Sequence, residues 1–399
     1  MQVIVNEDTM TELVTINLLY NVGSKNEEET HTGFAHLFEH LMFSGSHNFP
    51  NFDNLINSIG GESNAFTTSD ITNFYCTVPH IYLETILSIE ADRMQHLIID
   101  NDHLQVQKKV VVEEFKQRYL NQPYGDLYKL IRELSYTTHP YRWQTIGKDI
   151  SHIEKADLGI VKDFYSHYYN PANSFLAISG NVSANNVFEL TERIFNFDNR
   201  KEKKICYKNE PLQLNNRNLT VERDVPTSMI VITFPMCERT NLQFYTFDLL
   251  SDVLSNGKSF RLYDSLVRNQ QIFTGIDAVV SGDDDKGLFM IVGKLTDGVD
   301  VKKGEEMIWQ ELQFLVENPP TEREFQKVKN KNRANSTFNN IKIGDKALNL
   351  AYYAHLNMLE RINTEKDLYS KVTINDLISL AKTVFFINKH NTLYYLARK

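Results

Sequence analysis

The sequence predicts an α+β fold built twice: two structurally related domains, each a mainly antiparallel sheet with helices packed on one face. Three observations lead there. The order of elements in the first half is strand, helix, two strands around a turn, then helices, and it recurs in the second half. Placing Gly45 on Gly257 sets GFAHLFEHLMFSG over YTFDLLSDVLSNG with the apolar positions largely in register. The length, 399 residues, suits two or three domains at roughly 100–200 residues each. Residues 198–217, rich in Lys, Asn, Arg and Asp, read as the linker, dividing a domain 1–207 from a domain 208–399.

Each element has a local reason. In TELVTINLLY (11–20), Val14, Ile16, Leu18 and Tyr20 recur with period two, the mark of a strand. Thr32 stands where an N-cap would, ahead of a helix over 33–43. The pair Gly60-Gly61 breaks the next helical stretch. Two strands follow, 62–67 and 72–78, joined by Ser69-Asp70. From Ile81 to about Tyr168 the pattern is mainly helical, with breaks at 121–123 and at His139-Pro140. NSFLAIS (173–179) is a strand ended by Gly180, and a helix runs over 184–195. Beyond the linker, TSMIVITF (227–234) is a strand and QFYTFDLLSDVL (243–254) a helix, with a second helical stretch at 261–269. Strands at 272–280 and 287–292 flank an Asp/Gly-rich turn, helices fill much of 299–387, and NTLYYLA (391–397) is the last strand.

Composition narrows the function classes. Hydrophobic residues make up 42% and charged residues 23%, which excludes a disordered or collagenous chain. The net charge of -9 argues against a nucleic-acid partner, which a basic stripe would announce. The densest basic cluster is Lys201, Lys203 and Lys204, interrupted by Glu202. Cys76, Cys206 and Cys237 are odd in number and widely spaced, so neither a disulfide framework nor a thiolate zinc site is expected. No apolar run reaches the roughly 18–20 residues of a membrane span. The opening MQVIVNEDTM carries no signal-peptide pattern, so a cytoplasmic location is favoured over a periplasmic one.

The chemistry concentrates in GFAHLFEHLMF (33–43). Its only ionisable residues are His36, Glu39 and His40, in an otherwise apolar helix. A helix that is apolar all round is buried, and burying two imidazoles and a carboxylate without partners costs several kcal/mol. The spacings i, i+3 and i+4 put all three on one face. Two His one turn apart can hold one zinc ion, and Glu39 between them can take a proton from water on the metal. The string H-x-x-E-H is the inverted form of the H-E-x-x-H zinc motif. A catalytic zinc needs a third protein ligand, and QKKVVVEEFKQRYL (107–120) is a helix offering Glu113 and Glu114. These point about 100° apart, so only one can face the metal. His31 and His47 flank the motif and read as surface or capping residues, and Asp283, Asp284 and Asp285 read as a solvated hairpin turn.

With these motifs in hand, the chain resembles the M16-type inverzincin zinc peptidases, the pitrilysin and mitochondrial-processing-peptidase family, in a single-length bacterial-like form. The resemblance spans nearly the whole chain, through GFAHLFEHLMFSGS (33–46), GGESNAFTTSDITNFYCTVP (60–79), VVVEEF (110–115), HPYRWQTIG (139–147), YYNPANSFLAISGNVS (168–183) and LSNGKSFRLYDSLV (254–267). It implies that Glu114, 74 positions after His40, is the third ligand, with one Zn2+ per chain. It implies an outer residue at Gln107, where the family often has Glu. It implies that a peptide substrate adds as a strand beside Asn64, Ala65, Phe66 and Thr67. The second domain is expected to be a metal-free chamber wall, since His36, Glu39 and His40 fall on Asp248, Ser251 and Asp252.

The function expected is a zinc endopeptidase with Glu39 as general base, working in a chamber formed by two subunits. The alternative is a non-catalytic structural subunit of a processing-peptidase-like complex, which has no need of the full set His36, Glu39, His40 and Glu114. The resemblance also implies an Arg and, seven positions on, a Tyr in the second domain. Alignment of SFRLYDSLVRNQQIFTGID (259–277) places Val267 and Thr274 there. A dimer is therefore expected, and a heterodimer whose homologous partner supplies the Arg/Tyr pair.

Overall fold

The first strand is one that alternation in the sequence left unassigned: β1 (Gln2–Glu7) runs parallel to β5 (Ser174–Gly180), with Gln2 opposite Phe175. In between come β2 (Leu13–Tyr20), β3 (Glu62–Thr67) and β4 (Thr72–Pro79), and the sheet order is β1-β5-β2-β4-β3. All pairings after the first are antiparallel. The second sheet is built from β6 (Arg217–Arg223), β7 (Met229–Pro235), β8 (Phe273–Val280), β9 (Leu288–Leu295) and β10 (Asn391–Ala397), in the order β6-β10-β7-β9-β8. Again one parallel pair is followed by three antiparallel ones. The two α+β halves thus share strand order and direction. This computed structural model describes residues 1–197, 207–387 and 389–398. The cluster Lys201, Lys203 and Lys204, and Cys206, lie outside them.

The matched glycines have a backbone reason. Gly45 has φ 100° and Gly257 φ 130°, a region that costs a side-chain-bearing residue strain. A Cβ on Gly45 would also sit 2.4 Å from the Pro50 carbonyl oxygen.

Both faces of β2 are covered. Val14, Ile16, Leu18 and Tyr20 on one face, and Thr15, Asn17 and Leu19 on the other, are at most 1% exposed. The polar members of the second face are satisfied across the ladder. Asn17 and Asn73 exchange amide hydrogen bonds of 2.8 and 2.9 Å, and the Thr15 and Thr77 hydroxyls lie 2.9 Å apart. Leu19 packs with Ala351, on the helix Ile343–His355 from the second half of the sequence. The second sheet is treated in kind: Leu127 and Ile131, on the helix Leu127–Ser135, pack with Val231, Leu393 and Tyr395.

The two compact units are therefore discontinuous. One comprises residues 1–118, 143–208 and 337–362; the other 119–142, 209–336 and 363–399. The linear division at 207/208 meets the structure with two exchanged segments, each bringing one helix to the other half's sheet. Among the described residues no helix is long and apolar enough to cross a membrane.

Candidate metal centre and active site

The motif helix, Phe34–Phe43, is anchored on its apolar side. Phe34, Ala35, Leu37, Phe38 and Leu41 are at most 1% exposed, and the Phe38 ring lies 4.8 Å from that of Tyr169. Its N-terminus is not capped by Thr32, whose hydroxyl instead meets His152 Nδ1 at 2.8 Å and accepts from the Lys148 amide. The buried Glu27 carboxylate does the capping, accepting from the Gly33 amide at 2.8 Å and the Ala35 amide at 2.9 Å. Burial pushes the Glu27 carboxyl up to about 8, against the pull of these amide hydrogen bonds, so it is the hydrogen bonding to the free N–H groups of the helix start that lets Glu27 set where the motif helix begins.

The third ligand candidate comes from the helix Asn101–Phe115, started by Asp100, whose side chain accepts from the His103 amide. Of its two adjacent glutamates, Glu113 points outward and pairs with Lys116 at 2.6 Å. Glu114 points inward. Its Oε2 is 3.2 Å from His40 Nε2 and its Oε1 is 3.6 Å from His36 Nε2. One ligand atom from each of His36, His40 and Glu114 lies within 4.8 Å of the others, the one such group among the described residues. Ligands held 2.0–2.1 Å from a tetrahedral zinc stand about 3.3–3.4 Å from one another, and the two His–Glu114 distances, 3.2 and 3.6 Å, lie close to that spacing. The two imidazole rings are nearly perpendicular, 88°, with centroids 4.9 Å apart. The donor set, two imidazole nitrogens and one carboxylate, matches the three protein ligands of a catalytic zinc.

Glu39, between the two His, does not join the ligand cluster. Its Oε2 accepts a 2.6 Å hydrogen bond from the Thr67 hydroxyl. Burial raises its carboxyl above the usual range, against the opposing pull of Thr67 and His40. That suits a base which must take a proton and then give it up. Glu114 is held below the usual range, first by its hydrogen bond to His40 and then by its neighbours His36 and Arg118. Burial pushes His36 down to about 4, only partly offset by Glu114. His36 is therefore neutral at pH 7, the form that ligates metal.

A pH effect on stability follows. The folded His36 binds a proton more weakly than the unfolded chain, so as pH falls the unfolded state is protonated first. The contribution is complete above 6.5 and is lost as pH drops towards about 4. The loss is on the order of a few kcal/mol. Chemical denaturation of the metal-free chain at pH 7 and pH 4.5 should show a larger drop for the native sequence than for His36→Asn. Equal drops would assign the acid sensitivity to other groups.

The remaining sequence candidates divide by face. On β3, Ala65 and Thr67 share the face turned to the motif helix, while Asn64 and Phe66 share the other, where Phe66 packs with the cluster of Leu19, Ile71 and Ala351. Asn64 Oδ1 accepts from the neighbouring Ala65 amide. Gln107 donates to Ser44 Oγ at 3.0 Å, one helix end away from the ligands. The group holding Glu114 is Arg118, whose guanidinium donates to Oε1 at 2.9 Å from the π-helical turn Lys116–Leu120. Sequence reasoning missed Arg118 and Glu27. The i,i+4 spacing from Glu114 could have flagged Arg118; Glu27 lies six residues before Gly33, outside any local capping pattern.

Comparison with known proteins bears on the whole chain. Residues 2–138 match the model described as Insulinase (Peptidase family M16), and residues 155–332 match that of the Peptidase M16 inactive domain. The chain belongs to peptidase family M16. Among its M16 relatives is the zinc protease PqqE of Helicobacter pylori, 28% identical over 97% of this chain and 88% of that protein. Another is the uncharacterized zinc protease YmxG of Bacillus subtilis, 22% identical over 82% of this chain and 79% of the relative. A solved protease from Helicobacter pylori superimposes with a TM-score of 0.93, at 28% identity over 98% of this chain and 96% of that one. The M16 inactive domain from Pseudomonas fluorescens, 15% identical, shares the fold with a TM-score of 0.89 over 100% and 96% of the two chains.

The second M16 half carries no ligand set at the matching helix, Phe244–Ser255. Asp248 accepts from the Tyr369 hydroxyl at 2.5 Å, Asp252 accepts from the Asn256 amide, and Ser251 donates to the Asp248 carbonyl. These groups are satisfied by neighbours. Metal analysis of the purified, zinc-saturated chain should return one zinc per chain, and a value near two would contradict this.

Proposed function

We propose that this chain is a zinc-dependent endopeptidase, with His36, His40 and Glu114 holding one zinc ion and Glu39 acting as general base. The observation that carries the reading is the convergence of three ligand atoms beside a carboxylate kept out of the ligand set. Zinc held by these three residues would supply Lewis-acid polarisation of the peptide carbonyl and a more acidic water. Glu39 takes the proton from the attacking water and delivers it to the departing amine. Thr67 holds the Glu39 carboxylate in place for both transfers.

The peptide is held by β3. This strand pairs with β4 on one side and forms the edge of its sheet, so its outer C=O groups, and its outer N–H groups apart from that of Ala65, which Asn64 Oδ1 already holds, are available to an extended chain. Because Thr67 lies on β3 and bonds Glu39, a strand added there runs past the base. Backbone pairing favours broad specificity, with cleavage in a chamber shared by two subunits. The test is cleavage of a fluorogenic peptide by the chain, alone and with candidate homologous partners, before and after chelation and zinc return. Chelator-sensitive cleavage restored by zinc supports the reading. Cleavage indifferent to the chelator, or none with any partner, sinks it.

A further inference from the structure

On the face of β3 turned away from Glu39 lies a cavity of about 650 Å³, lined by β3, β4, the β1–β2 turn and the start of the helix Ile343–His355. Its walls include Phe66, Tyr75, Ile343 and Leu348, and its rim bears Glu62 and Asp345. Neither rim carboxylate has an ion-pair partner among the described residues, whereas the third acid, Asp8, is neutralised by Lys346 at 2.7 Å. Lys342 is the one cation in the lining.

We propose that this cavity is a specificity subsite that takes a lysine or arginine side chain of the bound peptide. The assignment rests on the reading above, that an extended peptide pairs with the outer edge of β3. Side chains of a strand alternate between the two faces, so every second residue of the peptide faces away from the base and towards the cavity. To enter, a side chain must cross β3, one strand spacing of about 4.8 Å. Lysine and arginine are long enough, their methylene stems suit the apolar wall, and their cationic ends reach the two rim carboxylates. Glutamate meets like charge there, which costs binding. The peptide residues concerned lie opposite Glu62, Asn64 and Phe66, about one to five positions from the residue opposite Thr67.

The experiment uses full-length, zinc-loaded Glu39→Gln protein, which binds peptide without turnover. Binding of fluorescein-labelled nonapeptides is read by anisotropy, with Lys, norleucine or Glu placed at each position of an otherwise alanine-rich sequence. At alternate positions Lys should bind about tenfold tighter than Glu, with norleucine between. Adding the double change Glu62→Lys with Asp345→Lys should reverse the order, and adding Lys342→Glu should widen it; thermal unfolding curves confirm that each variant is folded. Tight peptide binding with no preference among the three residues, or a preference untouched by the charge reversal, overturns the subsite while leaving docking on β3 standing. No binding of any peptide overturns both.

Discussion

Glu39→Gln is expected to keep a full equivalent of zinc and to slow peptide hydrolysis by about 10²–10⁴-fold, the range for removal of a positioned general base. The argument is geometric. Glu39 lies outside the group formed by His36, His40 and Glu114, and its Oε2 is engaged by Thr67 at 2.6 Å. Glutamine keeps the size and can still accept from Thr67, so the helix and the ligands have no reason to move. His36→Ala or His40→Ala should give the opposite pattern. Two remaining protein ligands hold zinc poorly, so metal and activity are lost together. Elemental analysis alongside turnover separates the cases. Loss of zinc from Glu39→Gln would make Glu39 a ligand and overturn its assigned role.

The second large effect is dependence on a partner. The purified chain, even as a homodimer, should bind zinc yet cleave peptides poorly, and a homologous subunit carrying an Arg/Tyr pair should raise the rate by about 10²–10³-fold or more. That is the scale of restoring donors to a developing oxyanion. The two positions where such donors would be sought cannot serve. Val267 is apolar and packs against the core of its own unit, and Thr274 on β8 donates its hydroxyl to the Lys294 carbonyl at 3.2 Å. Arg268, the nearest arginine, is engaged with Asp264 one turn back. Turnover by the chain with and without co-purified homologues, at equal zinc occupancy, decides the matter. Full activity of the chain alone would falsify the division of labour.

Much of the architecture was legible because it rests on local pattern. Period-two alternation located β2, strand-like runs located β3, β4, β5, β7, β8, β9 and β10 to within a few residues, and the apolar run around H-x-x-E-H located a buried helix. The strands that escaped notice, β1 and β6, are the outer members of the parallel pairs, short and only half-buried. Burial on two faces blurs alternation. On β2, Thr15 and Asn17 alternate with the apolar residues, yet they are buried, their hydroxyl and amide groups matched across the sheet under a helix from residues 343–355.

By itself, the sequence determined the doubled α+β plan, the inward face carrying His36, Glu39 and His40, and the pair of glutamates from which a third ligand would come. Each is a consequence of helix or strand periodicity acting over a dozen residues. Only the tertiary structure decided what depends on contacts between distant segments. It turned Glu114 inward and Glu113 out to Lys116, gave the cap of the motif helix to Glu27 instead of Thr32, and put Arg118 rather than Gln107 on Glu114. It also exchanged the helices Leu127–Ser135 and Ile343–His355 between the two units. A carboxylate or a helix face carries no local mark of its partner. The partner is selected by which buried charge or apolar surface would otherwise go unsatisfied once the chain has closed on itself.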